Sequence, residues 1–159
     1  MSPHQQAQAL DQGAIIENAK SCENEMVGVF QRQKSAFDQE RFASYQSRMS
    51  NLKKLYQLID GHSQELAEAL NSDFGCRSRQ ETELAEIIGS ISSIRYLMKN
   101  LKRFMKPQNR RTSIWFLPAK GQVMLQPLGV IGVMAPWNYS LHLTIAPMAA
   151  GLAAGNRVM

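Results

Sequence analysis

Residues Pro127–Ser140, reading PLGVIGVMAPWNYS, constrain this chain more than any other stretch. The apolar run Leu128–Ala135 lies between prolines and stops at Pro136-Trp137-Asn138. A short apolar run bounded in this way predicts a buried strand. The alanine- and glycine-rich segment that follows, through Gly155-Asn156, predicts a helix packed closely on a sheet, and Arg157-Val158-Met159 open a second strand. Strand, sharp turn, helix and strand make a βαβ crossover, the connection that parallel strands require. The crossover is expected to be cut off in its second strand, so that the chain ends inside a domain. An unpaired sheet edge and an uncovered apolar helix face would leave such a piece marginally stable or aggregation-prone when expressed alone.

Charge is unevenly placed along the chain. Residues 1–86 hold all 13 acidic and 9 basic residues, net −4, whereas residues 87–159 hold 9 basic residues and no acidic one, net +9. A basic half can mark a nucleic-acid surface, and it also arises when balancing charges lie in sequence beyond the segment. The basic run at 95–111 matches no known nucleic-acid signature, and it falls at the end of a predicted helix, where positive charge suits the helix dipole. A solvated face is the simpler reading. A stand-alone basic interaction or nucleic-acid-binding module remains the alternative.

Residues 121–156 contain no charged side chain, which raises the question of a membrane span. A span needs about 20 predominantly apolar residues in a row. Pro127, Pro136, Asn138, His142 and Pro147 interrupt this stretch, so no membrane insertion is expected. The two cysteines, Cys22 and Cys76, have neither C-x-x-C spacing nor partner histidines that would complete a metal site. No metal is expected, and a reducing, cytoplasmic compartment fits best. The polar, Gln-rich residues 1–25 lack a signal-peptide pattern and are expected to form a mobile tail.

Helical spacing covers most of what lies between. Val27, Phe30 and Phe37 predict a helix from about Glu25 to Asp38, and Met49, Leu52, Leu55, Tyr56 and Ile59 predict another that stops at Asp60-Gly61. A short helix over Ser63–Asn71 carries Leu66 and Leu70, and a loop is expected at residues 71–75. Ser78-Arg79-Gln80-Glu81 has the form of a capping box. Leu84, Ile87, Ile88, Ile91, Ile94, Met98, Leu101 and Met105 then hold one helical face until Pro107. Ser113–Leu117 and Val123–Leu125 predict a β-hairpin around the turn residues Pro118–Gly121.

In this order, QPLGVIGVMAPWNY at 126–139 and LTIAPMAAGLAAGN at 143–156 resemble the N-terminal part of the aldehyde dehydrogenase superfamily, and the branch holding class 3 and coniferyl-aldehyde dehydrogenases in particular. LKKLYQLI at 52–59 and KNLKRFMKP at 99–107 support the likeness, which runs over about residues 28–159. PWN alone is a weak signal; flanked by PLGVIG and AAGN at this spacing it is strong. The resemblance implies an α/β fold: N-terminal helices, a β-ribbon, and the start of a Rossmann-like parallel sheet, truncated. It divides the chain into a mobile tail at 1–25, a helical part of the NAD(P)-binding domain at 26–111, an oligomerisation ribbon at 112–126 and the incomplete first crossover at 127–159.

The resemblance also implies chemistry. In the family a cysteine thiolate attacks an aldehyde, hydride passes to NAD or NADP, with NAD favoured here, and the thioester is hydrolysed. Asn138 matches the asparagine whose side-chain amide donates to the oxyanion. Met134, Ala135, Pro136 and Trp137 match the segment that lines the cofactor. A neutral amide fixed at a strand end can stabilise developing negative charge without exchanging a proton. Read without the resemblance, Asn138 is a turn residue or helix cap, and Trp137 is core. The family usually has proline where this chain has Ser140, which lacks proline's rigid φ but can cap the helix through its hydroxyl. The nucleophilic cysteine, the general-base glutamate and the glycine-containing nucleotide turn are expected beyond Met159. Cys22 and Cys76 precede PWN and do not match the nucleophile. The partners implied are an aldehyde substrate and further copies of the chain through the 112–126 ribbon, with no nucleic acid and no membrane. The segment alone is expected to be inactive. A truncated paralogue that keeps only the ribbon's assembly role is a further alternative.

Overall fold

Four helices contribute to the core, and each buries the side chains that its spacing selects. The computed structural model describes the backbone of residues 3–159 and the side chains of residues 21–159. Helix α2 (Tyr45–Gly61) is capped by Ser44, whose hydroxyl accepts from the Ser47 amide at 3.1 Å, and it buries Leu52, Leu55 and Ile59. Helix α3 (Ser63–Phe74) buries Ala67 and Leu70 and ends at Gly75 in the left-handed region. It runs through Asn71–Phe74, expected as loop, because the first residue free to leave helical geometry without strain is Gly75. Helices α5 (Gly89–Phe104) and α6 (Ser140–Ala154) complete the core with Ile91, Ile94 and Leu101 from one and Ile145, Ala149 and Ala153 from the other. Full burial of side chains such as Leu52, Ile59, Ile94 and Leu101 contributes roughly 1.5–3 kcal/mol each.

The first helix differs from expectation. Helix α1 has helical backbone over Pro3–Gln39, where the sequence predicted a tail through residue 25 and a helix only from Glu25; residues 1 and 2 lie outside the described residues. Gln, Ala and Glu are the commonest residues of this stretch and favour a helix, and a proline in the first turn costs no hydrogen bond. The C-terminal end of α1 lies beside the sheet: Arg157 donates to the Ala36 carbonyl at 3.4 Å.

The ribbon is antiparallel as expected, with its first arm moved. Strands β1 (Gln108–Arg110) and β2 (Gly121–Val123) pair in the register Gln108–Val123, Asn109–Gln122 and Arg110–Gly121. Ser113–Leu117, read as a strand, instead holds a 3-10 turn at Ile114–Phe116 within the connection. Strand propensity needs a surface to pack on, and Ile114, Trp115, Phe116 and Leu117 are all exposed, Trp115 to 89%.

The crossover is present. Strand β3 (Val130–Ile131) pairs in parallel with β4 (Arg157–Val158), and α6 connects them. Regular pairing is shorter than the expected Leu128–Ala135, although backbone bonds from Arg157 N–H to the Gly129 carbonyl (2.9 Å) and from Val133 N–H to the Met159 carbonyl (2.8 Å) prolong the ladder at both ends. The small residues of α6 let it sit close to this pair. A Cβ at Gly151 would collide with the Ile131 side chain. Gly155 ends α6 at φ 90°, directly against the buried Arg48 guanidinium, which donates to the Ala153 carbonyl at 3.2 Å. Asn156 then ties helix to strand: its Oδ1 accepts from the Leu128 and Gly129 amides at 2.7 and 3.0 Å.

Candidate active site

The chain leaves β3 as an irregular segment, Gly132–Pro136, turns at Trp137-Asn138-Tyr139 and enters α6 at Ser140. Met134 is 98% exposed and Trp137 83% exposed, so Trp137 is not a core residue of this chain. Pro136 is exposed and Ala135 half-buried. Asn138 is exposed, and its carboxamide makes no hydrogen bond among the described residues. Asn138 does not cap the helix; the position before α6 is Tyr139. These five residues form one continuous edge at the C-terminal end of the strand, where open α/β sheets gather their ligands.

The capping expected of Ser140 is supplied from elsewhere. Ser140 is the first helical residue, and no side chain of the turn caps α6. The Glu86 carboxylate, fully buried, does so instead: Oε2 accepts from the Leu141 amide at 2.7 Å and from the His142 amide at 3.2 Å. A carboxylate on free amides at a helix start satisfies orphan donors and complements the helix dipole. The other Glu86 oxygen lies 2.8 Å from Nη1 of Arg77, whose side chain is 5% exposed.

Arg77 holds the turn itself. Its Nη1 donates to the Asn138 carbonyl oxygen at 3.0 Å. The guanidinium is stacked between the rings of Phe74 and Tyr139, at 4.7 and 4.6 Å from their centroids, an arrangement that suits a planar, weakly hydrated cation. Tyr139 donates its hydroxyl proton to Glu81 at 3.0 Å. That hydrogen bond, and then the charge of the Glu81 carboxylate, raise the Tyr139 pKa above its ordinary 10.0.

Local helix geometry brings these groups inward. After a single turn, α4 (Arg79–Glu81), the chain widens into a π-helical stretch at Thr82–Ile88 before α5. Wider turns rotate successive side chains by less than an α-helix does. Leu84 and Ile88, expected on the buried face, are exposed at 67% and 50%, while Thr82, Glu86 and Ser90 are buried in their place. The capping box also fails to form: Ser78 donates to the Gln80 side chain, and Glu81 is taken up by Tyr139. Sequence reasoning passed over Arg77 and Glu86. The available signal was Thr82-x-x-x-Glu86-x-x-x-Ser90, a polar stripe at helical spacing beside an isoleucine-rich face.

A cavity of about 460 Å³ lies away from this edge, between α2, α5 and the Met124–Pro127 segment, lined by Phe42, Arg48, Phe104 and Leu125. None of residues 134–138 borders it, and its lining is mostly apolar. The basic segment is partly engaged within the chain, with Arg95 donating to the Tyr56 hydroxyl at 2.7 Å and Arg103 lying over the Phe104 ring. Among the described residues no cluster of side chains suits a metal ion, and no helix is long and apolar enough to cross a membrane.

The model of the aldehyde dehydrogenase family matches residues 5–159. A probable coniferyl aldehyde dehydrogenase of Pseudomonas aeruginosa is 42% identical over 146 residues, 92% of this chain and 31% of that protein. Aldehyde dehydrogenase family 3 member H1 of Arabidopsis thaliana is 35% identical over 124 residues, 78% of this chain and 25% of that protein. The substrate-bound structure of Staphylococcus aureus AldH superposes with a TM-score of 0.79 at 28% identity, over 84% of this chain and 29% of that one. The chain thus spans a quarter to a third of the length of these relatives. By the family-model match over residues 5–159 and the 42% identity over 92% of its length, the chain belongs to the aldehyde dehydrogenase family.

Proposed function

We propose that these residues are part of a cytoplasmic, NAD(P)-dependent enzyme that oxidises an aldehyde to its carboxylic acid. The substrate class in this reading is coniferyl aldehyde, the aldehyde in the name of the Pseudomonas aeruginosa relative, or another aromatic or aliphatic aldehyde. The reaction consumes aldehyde, NAD(P)⁺ and water and yields carboxylate, NAD(P)H and two protons. NAD(P)⁺, when bound, takes up the hydride from the aldehyde carbon. Met134, Ala135, Pro136 and Trp137 would border it, and their character fits: the exposed Met134 and Trp137 offer apolar surface to a flat ring. The start of α6 does not suit a phosphate, because Glu86 already occupies the Leu141 and His142 amides. NAD is the preferred cofactor in this reading.

Asn138 supplies the oxyanion donor. One observation carries this: an exposed carboxamide, free of hydrogen bonds among the described residues, stands on a turn whose backbone is fixed by Arg77. A donor set in advance at the place where charge develops needs no reorganisation during reaction. The nucleophile and the general base come from sequence outside residues 1–159, since Cys22 and Cys76 are exposed cysteines upstream of the turn. These 159 residues alone are therefore inactive. The Ile114–Leu117 side chains, exposed on the ribbon, make contact with a further copy of the enzyme. Neither a membrane nor a nucleic acid is a partner.

The test is Asn138→Ala in the full-length enzyme that carries this segment, assayed with coniferyl aldehyde and NAD. Loss of one oxyanion donor lowers kcat by about 10²–10³-fold while the KM for NAD stays within about twofold. An unchanged kcat would remove the assignment.

A further inference from the structure

We infer that Arg77, held by Glu86, is a positioning residue for the reaction, and that it acts by fixing the turn from which the Asn138 carboxamide is presented. This rests on the oxyanion reading of Asn138. From the carbonyl of that residue onward, the backbone is anchored to groups of the 77–86 segment. The Asn138 carbonyl accepts from Arg77 at 3.0 Å, the Tyr139 ring stacks on the same guanidinium at 4.6 Å, and the Tyr139 hydroxyl reaches Glu81 at 3.0 Å. The Leu141 and His142 amides rest on Glu86 at 2.7 and 3.2 Å. With the carbonyl direction and the helix start both set, the backbone of Asn138 has little freedom, and only its two side-chain torsions remain to be chosen.

The electrostatics explain why both charges are kept. Glu86 is fully buried and the Arg77 side chain nearly so, 2.8 Å apart. Such a pair is seldom a strong source of stability compared with apolar residues of like volume, and its better-attested use is to specify one arrangement. Here the arrangement specified is the end of β3 against the start of α6. Arg77 Nε and Nη2 and Glu86 Oε1 are buried without a hydrogen-bond partner; the cation is thus spent on stacking, on ion pairs with Glu86 at 2.8 Å and Glu81 at 3.7 Å, and on the single bond to the Asn138 carbonyl. Placing a catalytic donor within about 0.5 Å calls for support of this kind, and displacement by about 1 Å can cost up to 10²-fold in rate.

The experiment is a double-mutant cycle on kcat in the full-length enzyme, with coniferyl aldehyde and NAD both saturating. Arg77→Lys keeps the charge and loses the planar stack and the fork. It is expected to lower kcat about 10-fold, to leave the KM for NAD within about twofold, and to have no effect on kcat in the Asn138→Ala background. Tyr139→Leu removes one face of the stack and is expected to behave alike with a loss of about threefold, so the test survives if Arg77→Lys does not fold. Equal losses with and without Asn138 would overturn the positioning role, as would an unchanged kcat in the single variants. An Asn138→Ala enzyme that turns over normally would instead remove the oxyanion reading, and the positioning role with it; that result is distinct from an Asn138→Ala deficit with additive Arg77→Lys.

Discussion

The turn at Asn138 and the ribbon at residues 112–126 are both irregular, both exposed in part and both rich in large side chains, yet the chain treats them in opposite ways. The turn is held from within by Arg77, Glu86 and Glu81 through contacts that cross 55 to 61 residues of sequence. The ribbon is held by three backbone pairs and side-chain bonds near its own ends, and Ile114, Trp115, Phe116 and Leu117 face outward. Polar groups can be satisfied one at a time, so a short turn can be completed inside one domain. Apolar side chains need area, and the ribbon has none to use within these residues. A region completed internally is suited to present a reacting group, and one left uncovered is suited to meet another surface.

The largest expected effect breaks the held side. Glu86→Ala takes away the close, buried partner of the Arg77 cation, leaving only Glu81 at 3.7 Å, and frees two helix amides; a loss of about 3 kcal/mol is expected in urea unfolding. Gly151→Ala attacks the same side from behind, because the added methyl meets Ile131. Overpacking of this kind costs about 1–3 kcal/mol, measured in the same way. On the ribbon, the pair Trp115→Ser and Phe116→Ser is expected to change the unfolding free energy of this chain by less than about 0.5 kcal/mol. The same pair should lower the association state of the full-length enzyme in sedimentation velocity. A large destabilisation of the isolated chain would erase the contrast between the two regions.

The smallest effect is in pH. The folded-state pKa of Tyr139 is raised by the hydrogen bond to Glu81 and then by that residue's charge. A raised pKa means that the neutral hydroxyl is the favoured form in the folded state. Its contribution to stability is present below the ordinary tyrosine value of 10.0 and is lost as pH rises through the folded value. Ultraviolet titration of the wild type against Tyr139→Phe should assign a tyrosine that ionises at higher pH than an exposed one.

Much of the fold was legible in the sequence because its signals are local. The spacing of Leu52, Leu55 and Ile59 places α2 unaided, and PLGVIG, PWN and AAGN mark the two strands and the helix of the crossover. Glu86 was hidden for two reasons. Its partners, the Leu141 and His142 amides, lie 55 and 56 residues away, and the π-helical stretch turns the buried face so that Glu86 replaces Leu84 and Ile88 inside. Strand propensity misplaced the first arm of the ribbon, since a run such as Ser113–Leu117 pairs only where a surface rewards it. Ser140 was expected to cap α6; a carboxylate from another helix has that role, and no pattern around Ser140 could have disclosed it.

The most direct measurement is amide hydrogen exchange of the 159-residue chain, resolved by residue. The Leu141 and His142 amides are expected to open only with the core, about 100-fold or more slower than the Gln122 amide of the ribbon, which opens locally. Equal protection in the two regions, or faster exchange at Leu141 than at Gln122, would contradict a turn fixed from within.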